Sequence, residues 1–325
     1  MENENPVQQK QEASSQEKPE GWERSLLERL AFAALNEQRR ARRWGIGFKI
    51  FFAIYLVAIL LMATSDPHEV KPTGEFTALV ELSGIIAPDT AASADFVVSG
   101  LRDAFESKAK GVIIRSNSPG GSPVQSQYIY DEIKRLRKKF PDKPVYAVVT
   151  DICASGCYYA VAGADRIYAS RGSIVGSIGV LMDGFGFVDS MKKLGVERRL
   201  MTAGENKAML DPFSPRNPGH MLHVKNMLDE IHQQFIDVVK EGRGKKLANR
   251  KDIFSGLFWT GETAVKLGLV DEIASASHVA REVIGADKIV DFSYRENWLD
   301  KFAGGLGSAM MNTLKAWLFG QGNLR

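Results

Sequence analysis

Between residues 78 and 162 short apolar runs alternate with amphipathic stretches, and this alternation constrains the chain more than any other feature. Residues 78–82 read as a strand that Ser83-Gly84-Ile85-Ile86 continues, and 93–105 has helical spacing, with Phe96, Val97, Leu101 and Phe105 on one side. A buried strand over 111–114 follows, then a helix over 125–140 with Ile129, Ile133 and Leu136 as its apolar stripe. A strand over 145–149 leads to a helix opening at Ser155 and running to Ala162. Alternation at this spacing predicts parallel βαβ units. Later, 218–239 reads as a helix with Met221, Val224, Leu228, Ile231 and Phe235 facing inward. The chain has 325 residues, 44% hydrophobic and 25% charged, which excludes collagen, coiled-coil, disulfide-scaffold and wholly disordered classes. No internal repeat is evident.

The first 65 residues differ in composition. Residues 1–21 hold almost no large apolar side chain and are expected to be a disordered, cytoplasmic tail. Over 22–43, Trp22, Leu26, Leu27, Leu30 and Phe32 fall near one face, followed by Arg39, Arg40, Arg42 and Arg43; this reads as a basic amphipathic helix on an anionic lipid surface. Residues 44–63 carry one charge, Lys49, and with that lysine snorkelling they reach the roughly 20 residues of a membrane span. A buried core helix and a cleaved signal peptide are the competing readings; the 43 preceding residues disfavour the second. The arginines before the span, against Asp66 and Glu69 after it, predict an amino terminus inside and the bulk of the chain outside. Residues 64–75 read as a linker, 76–293 as the main domain and 294–325 as an amphipathic tail. In the tail, Leu299, Phe302, Leu306, Met310, Leu314 and Trp317 suit core or oligomer packing, although Gly304, Gly305 and Gly307 weaken a helix there.

Two small-residue loops follow predicted strands. In Asn117-Ser118-Pro119-Gly120-Gly121-Ser122, paired glycines can turn backbone N–H groups into a concavity, the material of an oxyanion hole. Neither a P-loop nor a dinucleotide loop matches, and no cofactor is called for. In Asp151-Ile152-Cys153-Ala154-Ser155-Gly156-Cys157, a serine opening a helix is placed for nucleophilic attack or for plain helix capping. Cys153 and Cys157 stand where a G-x-S-x-G elbow needs glycine. Those cysteines could be metal ligands or a disulfide, but four-residue spacing without further clustered ligands favours simple packing. A base for Ser155 could be His220 or His223, or Lys207, set amid small and apolar residues that would desolvate it. No His-Glu-x-x-His pattern supports a metal site. The net charge of +3, from 42 basic and 39 acidic residues, gives no reason to expect nucleic acid as a partner.

Taken in order, Leu82-Ser83-Gly84-Ile85-Ile86, Asn117-Ser118-Pro119-Gly120-Gly121, Ala154-Ser155-Gly156-Cys157-Tyr158-Tyr159 and Gly172-Ser173-Ile174-Val175-Gly176-Ser177-Ile178-Gly179 form a specific series. It continues through Lys207, Phe235-Ile236-Asp237-Val238-Val239 with Gly242-Arg243, and Thr260-Gly261-Glu262-Thr263-Ala264 with Gly268-Leu269-Val270-Asp271. On these motifs the chain resembles the signal peptide peptidase A (protease IV) family, membrane-anchored bacterial serine proteases with a Ser/Lys dyad. The likeness covers about two thirds of the chain, from Phe76 to Ala274, and departs from the usual pattern at Cys157, where a second glycine is customary.

The resemblance implies an α/β, crotonase-like (ClpP-like) fold of stacked βαβ units, preceded by one amino-terminal transmembrane helix. It implies Ser155 as nucleophile, Lys207 as general base 52 positions later, Ser177 orienting the lysine, and the N–H groups of Gly156 and Gly121 as the oxyanion hole. It also implies a homo-octamer with the dyad shared between protomers, and cleaved signal peptides and other apolar segments as substrates. The place would be the bacterial inner membrane, with the catalytic domain periplasmic. A Ser/His hydrolase and a non-catalytic membrane scaffold are the alternatives.

Overall fold

The computed structural model describes residues 21–64 and 74–294, which fall in two separate compact units. All but Gly21 of the expected tail over 1–21, most of the linker over 64–75 and all but Tyr294 of the carboxyl-terminal segment over 294–325 lie outside the described residues.

In the first unit, α1 (Trp22–Thr64) is one continuous helix of 43 residues. The amphipathic helix over 22–43 and the apolar segment over 44–63 are therefore joined without a break, where two elements were expected. Nothing within α1 breaks it: its only glycines are Gly45 and Gly47, and no proline occurs between them and Thr64. Apolar side chains on every face are exposed, among them Trp44, Phe48, Phe51, Phe52, Ile54 and Leu56. Among the described residues no helix is long and apolar enough to cross a membrane. Going back from Ile59, Lys49, Arg43 and Arg42 interrupt the apolar run.

The second unit is a mixed α/β structure around an eight-stranded sheet. Its elements are β1 (Thr77–Ser83), α2 (Ala94–Glu106), β2 (Gly111–Ser118), α3 (Pro123–Lys139), β3 (Val145–Ala154), α4 (Gly156–Val161), β4 (Arg166–Ala169) and β5 (Ile174–Gly176). There follow α5 (Val188–Leu194), α6 (Pro218–Arg243), β6 (Phe258–Thr260), α7 (Gly261–Lys266), β7 (Glu272–Ile273) and β8 (Ile289–Asp291). The strands run in the order β6-β5-β3-β2-β1-β8, and β4 pairs with β3 and with β7. Every pairing is parallel except β5 with β6, an antiparallel edge that strand–helix alternation did not predict.

Alternate residues of the central strands enter two different cores, as a parallel sheet covered on both faces requires. Val80, Val112, Ile114, Ala147 and Val149 pack with Leu101, Ile129, Ile133 and Tyr158. Leu79, Ile113, Val148 and Tyr168 pack with Val279, Ala280 and Ile284 on the other side. Helix starts follow capping chemistry: the hydroxyls of Ser93 and Ser122 accept from Phe96 N–H and Gln125 N–H. The helix α6 departs from expectation in its first half, where Met221 is exposed and inward burial is confined to Val224, Phe235, Val239 and Arg243. Before it, residues 180–217 form an arm with one short helix and strongly exposed apolar side chains, Leu181 and Phe185 at 81% and Met201 at 94%.

The strand β3 forks the sheet. Its first half pairs with β4 and its end with β5, Cys153 facing Val175 and Ala154 facing Gly176. On the other side Ser118, the last residue of β2, lies opposite Cys153 after a register shift. The two small-residue loops thus leave the same carboxyl edge of the sheet side by side, where ligands of open α/β sheets bind.

Candidate active site

The backbone assembles the site before any side chain does. Ile86 N–H donates to Gly120 O at 2.9 Å and Ser122 N–H donates to Ile86 O at 2.7 Å, a parallel bridge. Residues 120 and 122 make both bonds to Ile86, so Gly121 N–H takes no part in the bridge, and Gly121 N lies 3.2 Å from where a Cβ on Gly156 would sit. Close approach excludes side chains here. A Cβ on Gly121 would lie 2.1 Å from Ile86 O, and one on Gly120 would lie 2.7 Å from both Ala154 O and Gly156 N. Ser118 Oγ supports the turn by accepting from Gly120 N–H at 3.1 Å.

Ser155 lies between β3 and α4 with φ 53° and ψ −126°. L-residues rarely adopt that conformation, which costs on the order of 1–3 kcal/mol and persists only where neighbours enforce it. Here Ser155 N–H donates to Gly176 O at 2.8 Å, and Ser155 O accepts from Tyr159 N–H at 3.0 Å. The hydroxyl makes no capping bond to α4, so the bland reading of Ser155 as a helix cap fails. The residue is half-buried and its Oγ remains available. Gly156, buried, opens α4, where an N–H has no partner within the helix. Among the described residues neither Gly156 N–H nor Gly121 N–H has an acceptor, so the turn presents two free donors beside a free hydroxyl. A sharp strand-to-helix turn therefore forms without the G-x-S-x-G pattern.

Cys153 and Cys157 correct an expectation. They are not simple packing residues but form a disulfide that straddles Ser155, with Cα atoms 5.2 Å apart. Among the described residues no group of acidic, His and Cys side chains could hold a metal.

Ser177 follows Gly176, the residue that accepts from Ser155 N–H, and has φ 52°, with its own N–H donating to Leu257 O at 2.8 Å. Gly121, Gly156, Ser155 and Ser177 are thus placed on adjoining segments. Lys207 is not brought to them. It is exposed in a turn of the arm, its N–H bonded to Gly204 O at 3.1 Å, and no hydrogen bond among the described residues links it to Ser155 or Ser177. His220 Nε2 pairs with Asn206 Oδ1 at 2.9 Å, His223 is exposed, and His232 Nε2 pairs with Ile178 O at 3.1 Å; none of them meets Ser155. Ser126 went unrecognised in the sequence. It is fully buried, bonds Ser122 O at 2.8 Å and backs Gly156, a role visible only as a small polar residue on the buried face of α3.

Buried polar groups tie α4 and α6 to the segment between α7 and β7. Tyr158 Oη donates to Leu269 O at 2.7 Å, and burial pushes its hydroxyl pKa up. Burial also disfavours the Asp271 carboxylate, but hydrogen bonds from Arg243, Lys246 and Ile167 N–H outweigh it and hold that pKa below the usual range. The chemistry available is an unengaged hydroxyl on the same turn as the Gly156 N–H and next to the Gly121 loop, which suits attack on a carbonyl.

A family model described as Peptidase family S49 matches residues 137–289. The "Na(+)/H(+) antiporter NhaA" of Brucella abortus is 48% identical over 190 residues, which is 58% of this chain and 26% of that protein. The "Putative protease slr0021" of Synechocystis is 32% identical over 198 residues, 61% of this chain and 69% of that protein. The "Putative signal peptide peptidase SppA" of Enterococcus faecium is 30% identical over 218 residues, covering 67% and 62%. The chain thus spans about a quarter of the first of these relatives and about two thirds of the other two. With the family model lying over the strand-to-helix turn of Ser155, and a relative matched over most of its length, the chain belongs to peptidase family S49.

Proposed function

We propose that the chain is a membrane-anchored serine endopeptidase on a crotonase-like (ClpP-like) fold, cleaving apolar peptide segments, released signal peptides among them, by a Ser/Lys dyad. The observation that carries this reading is Ser155, held at φ 53° with an uncommitted hydroxyl beside the N–H groups of Gly156 and Gly121. In the proposed reaction Lys207 Nζ takes the proton from Ser155 Oγ as the oxygen attacks the peptide carbonyl. The two glycine N–H groups hold the oxyanion, Lys207 returns the proton to the leaving amine, and water hydrolyses the acyl-enzyme. Ser177 orients the lysine. The name of the Enterococcus relative supports the choice of substrate.

In this reading Lys207 reaches Ser155 from a neighbouring protomer in a homo-oligomer, an octamer by the resemblance. Two features support it: Lys207 has no bond to Ser155 within one chain, and its arm exposes Leu181, Phe185 and Met201 to whatever covers them. We place the anchor at 44–63, with the catalytic domain outside the inner membrane. Apolar side chains exposed all round α1 support lipid contact, and a disulfide suits an oxidising compartment.

Complementation tests the dyad. Full-length Ser155→Ala and Lys207→Ala chains, each inactive alone on an apolar quenched-fluorescence peptide, are co-expressed and purified together. Shared sites predict partial recovery of activity, because some interfaces pair an intact serine with an intact lysine. Demonstrated mixing without recovery refutes sharing, and a Lys207→Ala chain with near-normal turnover refutes the dyad.

A further inference from the structure

Cys153 and Cys157 stand two residues either side of Ser155 and are joined, linking the end of β3 to the first turn of α4. The bond encloses only Ala154, Ser155 and Gly156. Two of these are the nucleophile and one oxyanion donor of the reaction proposed above, and the inference rests on that reading. Without the bond, the unusual backbone of Ser155 is held by two hydrogen bonds, to Gly176 O and from Tyr159 N–H. The serine hydroxyl adds nothing to that restraint, since it caps no N–H.

Burial decides what kind of device the bond is. Both cysteines are 0% exposed, and thiol–disulfide exchange needs an attacking thiolate to reach a sulfur. A redox switch would need an accessible sulfur, whereas a permanent restraint does not. Closing so short a loop also gives the smallest gain in global stability that a crosslink can give. What remains is local geometry, at the atoms the chemistry uses. We propose that the Cys153–Cys157 disulfide is a covalent clamp that positions Ser155 Oγ and Gly156 N–H for acylation. Neither cysteine touches the reacting atoms; both act through the turn they close. Misplacing a reacting group by an ångström can cost about a hundredfold, so release of the clamp should slow acylation roughly tenfold or more.

The test uses the full-length chain in detergent and compares wild type with Cys153→Ala/Cys157→Ala. A fluorophosphonate probe gives the rate of Ser155 acylation per folded chain, an apolar quenched peptide gives kcat and KM, and amide hydrogen exchange reports on residues 155–159. The clamp predicts labelling and kcat lower by about tenfold or more, KM within twofold, and faster exchange across the turn. A second arm keeps the wild-type sequence. Dithiothreitol in mild denaturant gives two electrons and two protons to the Cys153 and Cys157 sulfurs and becomes a cyclic disulfide. The refolded dithiol form should acylate slowly, and recover when oxidised dithiothreitol takes the electrons and protons back. Should the double variant not fold, this arm decides alone. Wild-type labelling rates and unchanged exchange in the unlinked chain overturn the clamp. If wild-type Ser155 takes no probe at all, the peptidase reading fails, and the exchange data still decide for or against the clamp.

Discussion

Gly156→Ala is the sharpest perturbation of the proposed oxyanion geometry, because the cost comes from one identified contact. Gly156 is the first residue of α4 and its φ lies outside the left-handed region, so alanine brings no backbone strain. The new Cβ would lie 2.4 Å from Ser126 Oγ and 3.2 Å from Gly121 N. Reaching an ordinary 3.4 Å contact with Ser126 takes about 1 Å of displacement. Ser126 is fully buried and turning its hydroxyl away would break the bond to Ser122 O at 2.8 Å, so the shift falls chiefly on Gly156 and its N–H. Loss of one oxyanion donor costs about 10²–10³ in kcat, or about 3–4 kcal/mol. The variant should therefore show kcat lower by about a hundredfold with KM near wild type, since the donor acts in the transition state. The same contact supplies its own rescue. Ser126→Ala removes Oγ and leaves a Cβ 3.5 Å from the added methyl, an ordinary distance. The double variant should regain about tenfold over Gly156→Ala, a coupling of about 1.4 kcal/mol, while Ser126→Ala alone loses only the hydrogen bond, about 1 kcal/mol of stability. The assay is peptide turnover on folded full-length chains, with thermal unfolding as control. Near-normal kcat in Gly156→Ala, or no recovery with Ser126→Ala, refutes the placement of the donor.

Two further predictions concern stability. Arg243 and Asp271 pair at 2.7 Å with side chains 1% and 7% exposed, so Arg243→Met, which strands part of a buried charge, should cost about 3–5 kcal/mol in urea unfolding; a loss below about 1 kcal/mol would mean that Lys246 and Ile167 N–H suffice. The hydrogen bond from Arg135, helped by Arg102 and opposed by burial, holds the Glu132 carboxyl down to about 2. A carboxylate lowered below its unfolded pKa of about 4.3 contributes fully above that value, and the contribution is lost as pH falls through the folded one. The Glu132 contribution to unfolding free energy should be level above about pH 5 and decline between about pH 4.5 and 2, so Glu132→Gln should make the acid decline shallower; an identical slope in the variant refutes the assignment.

The strand cores were legible because a sheet buried on both faces leaves unbroken apolar runs such as Val112-Ile113-Ile114 and Val145 to Val149. What hydropathy missed is where those strands end. The strand β2 continues through Arg115-Ser116-Asn117-Ser118 and β3 through Thr150 to Ala154, polar and small residues held by ladder pairing and not by apolar burial alone. Those extensions matter most for the site, since they set Ser118 opposite Cys153 and so bring the Gly120-Gly121 turn against Ser155. The disulfide was hidden for a related reason. Residues four apart in a strand are separated by about 13 Å, too far to bridge, and spacing alone says nothing of a turn between them. Only the reversal from β3 into α4 at Ser155 shortens the separation to 5.2 Å. The arm over 180–217 was opaque in another way: its apolar residues follow no period, and within one chain they find no core to set one. Local pattern is thus informative where a segment buries itself against its neighbours in sequence. It fails where distant segments close on a backbone turn, as the end of β5 and the glycine loop after β2 both close on Ser155 between β3 and α4.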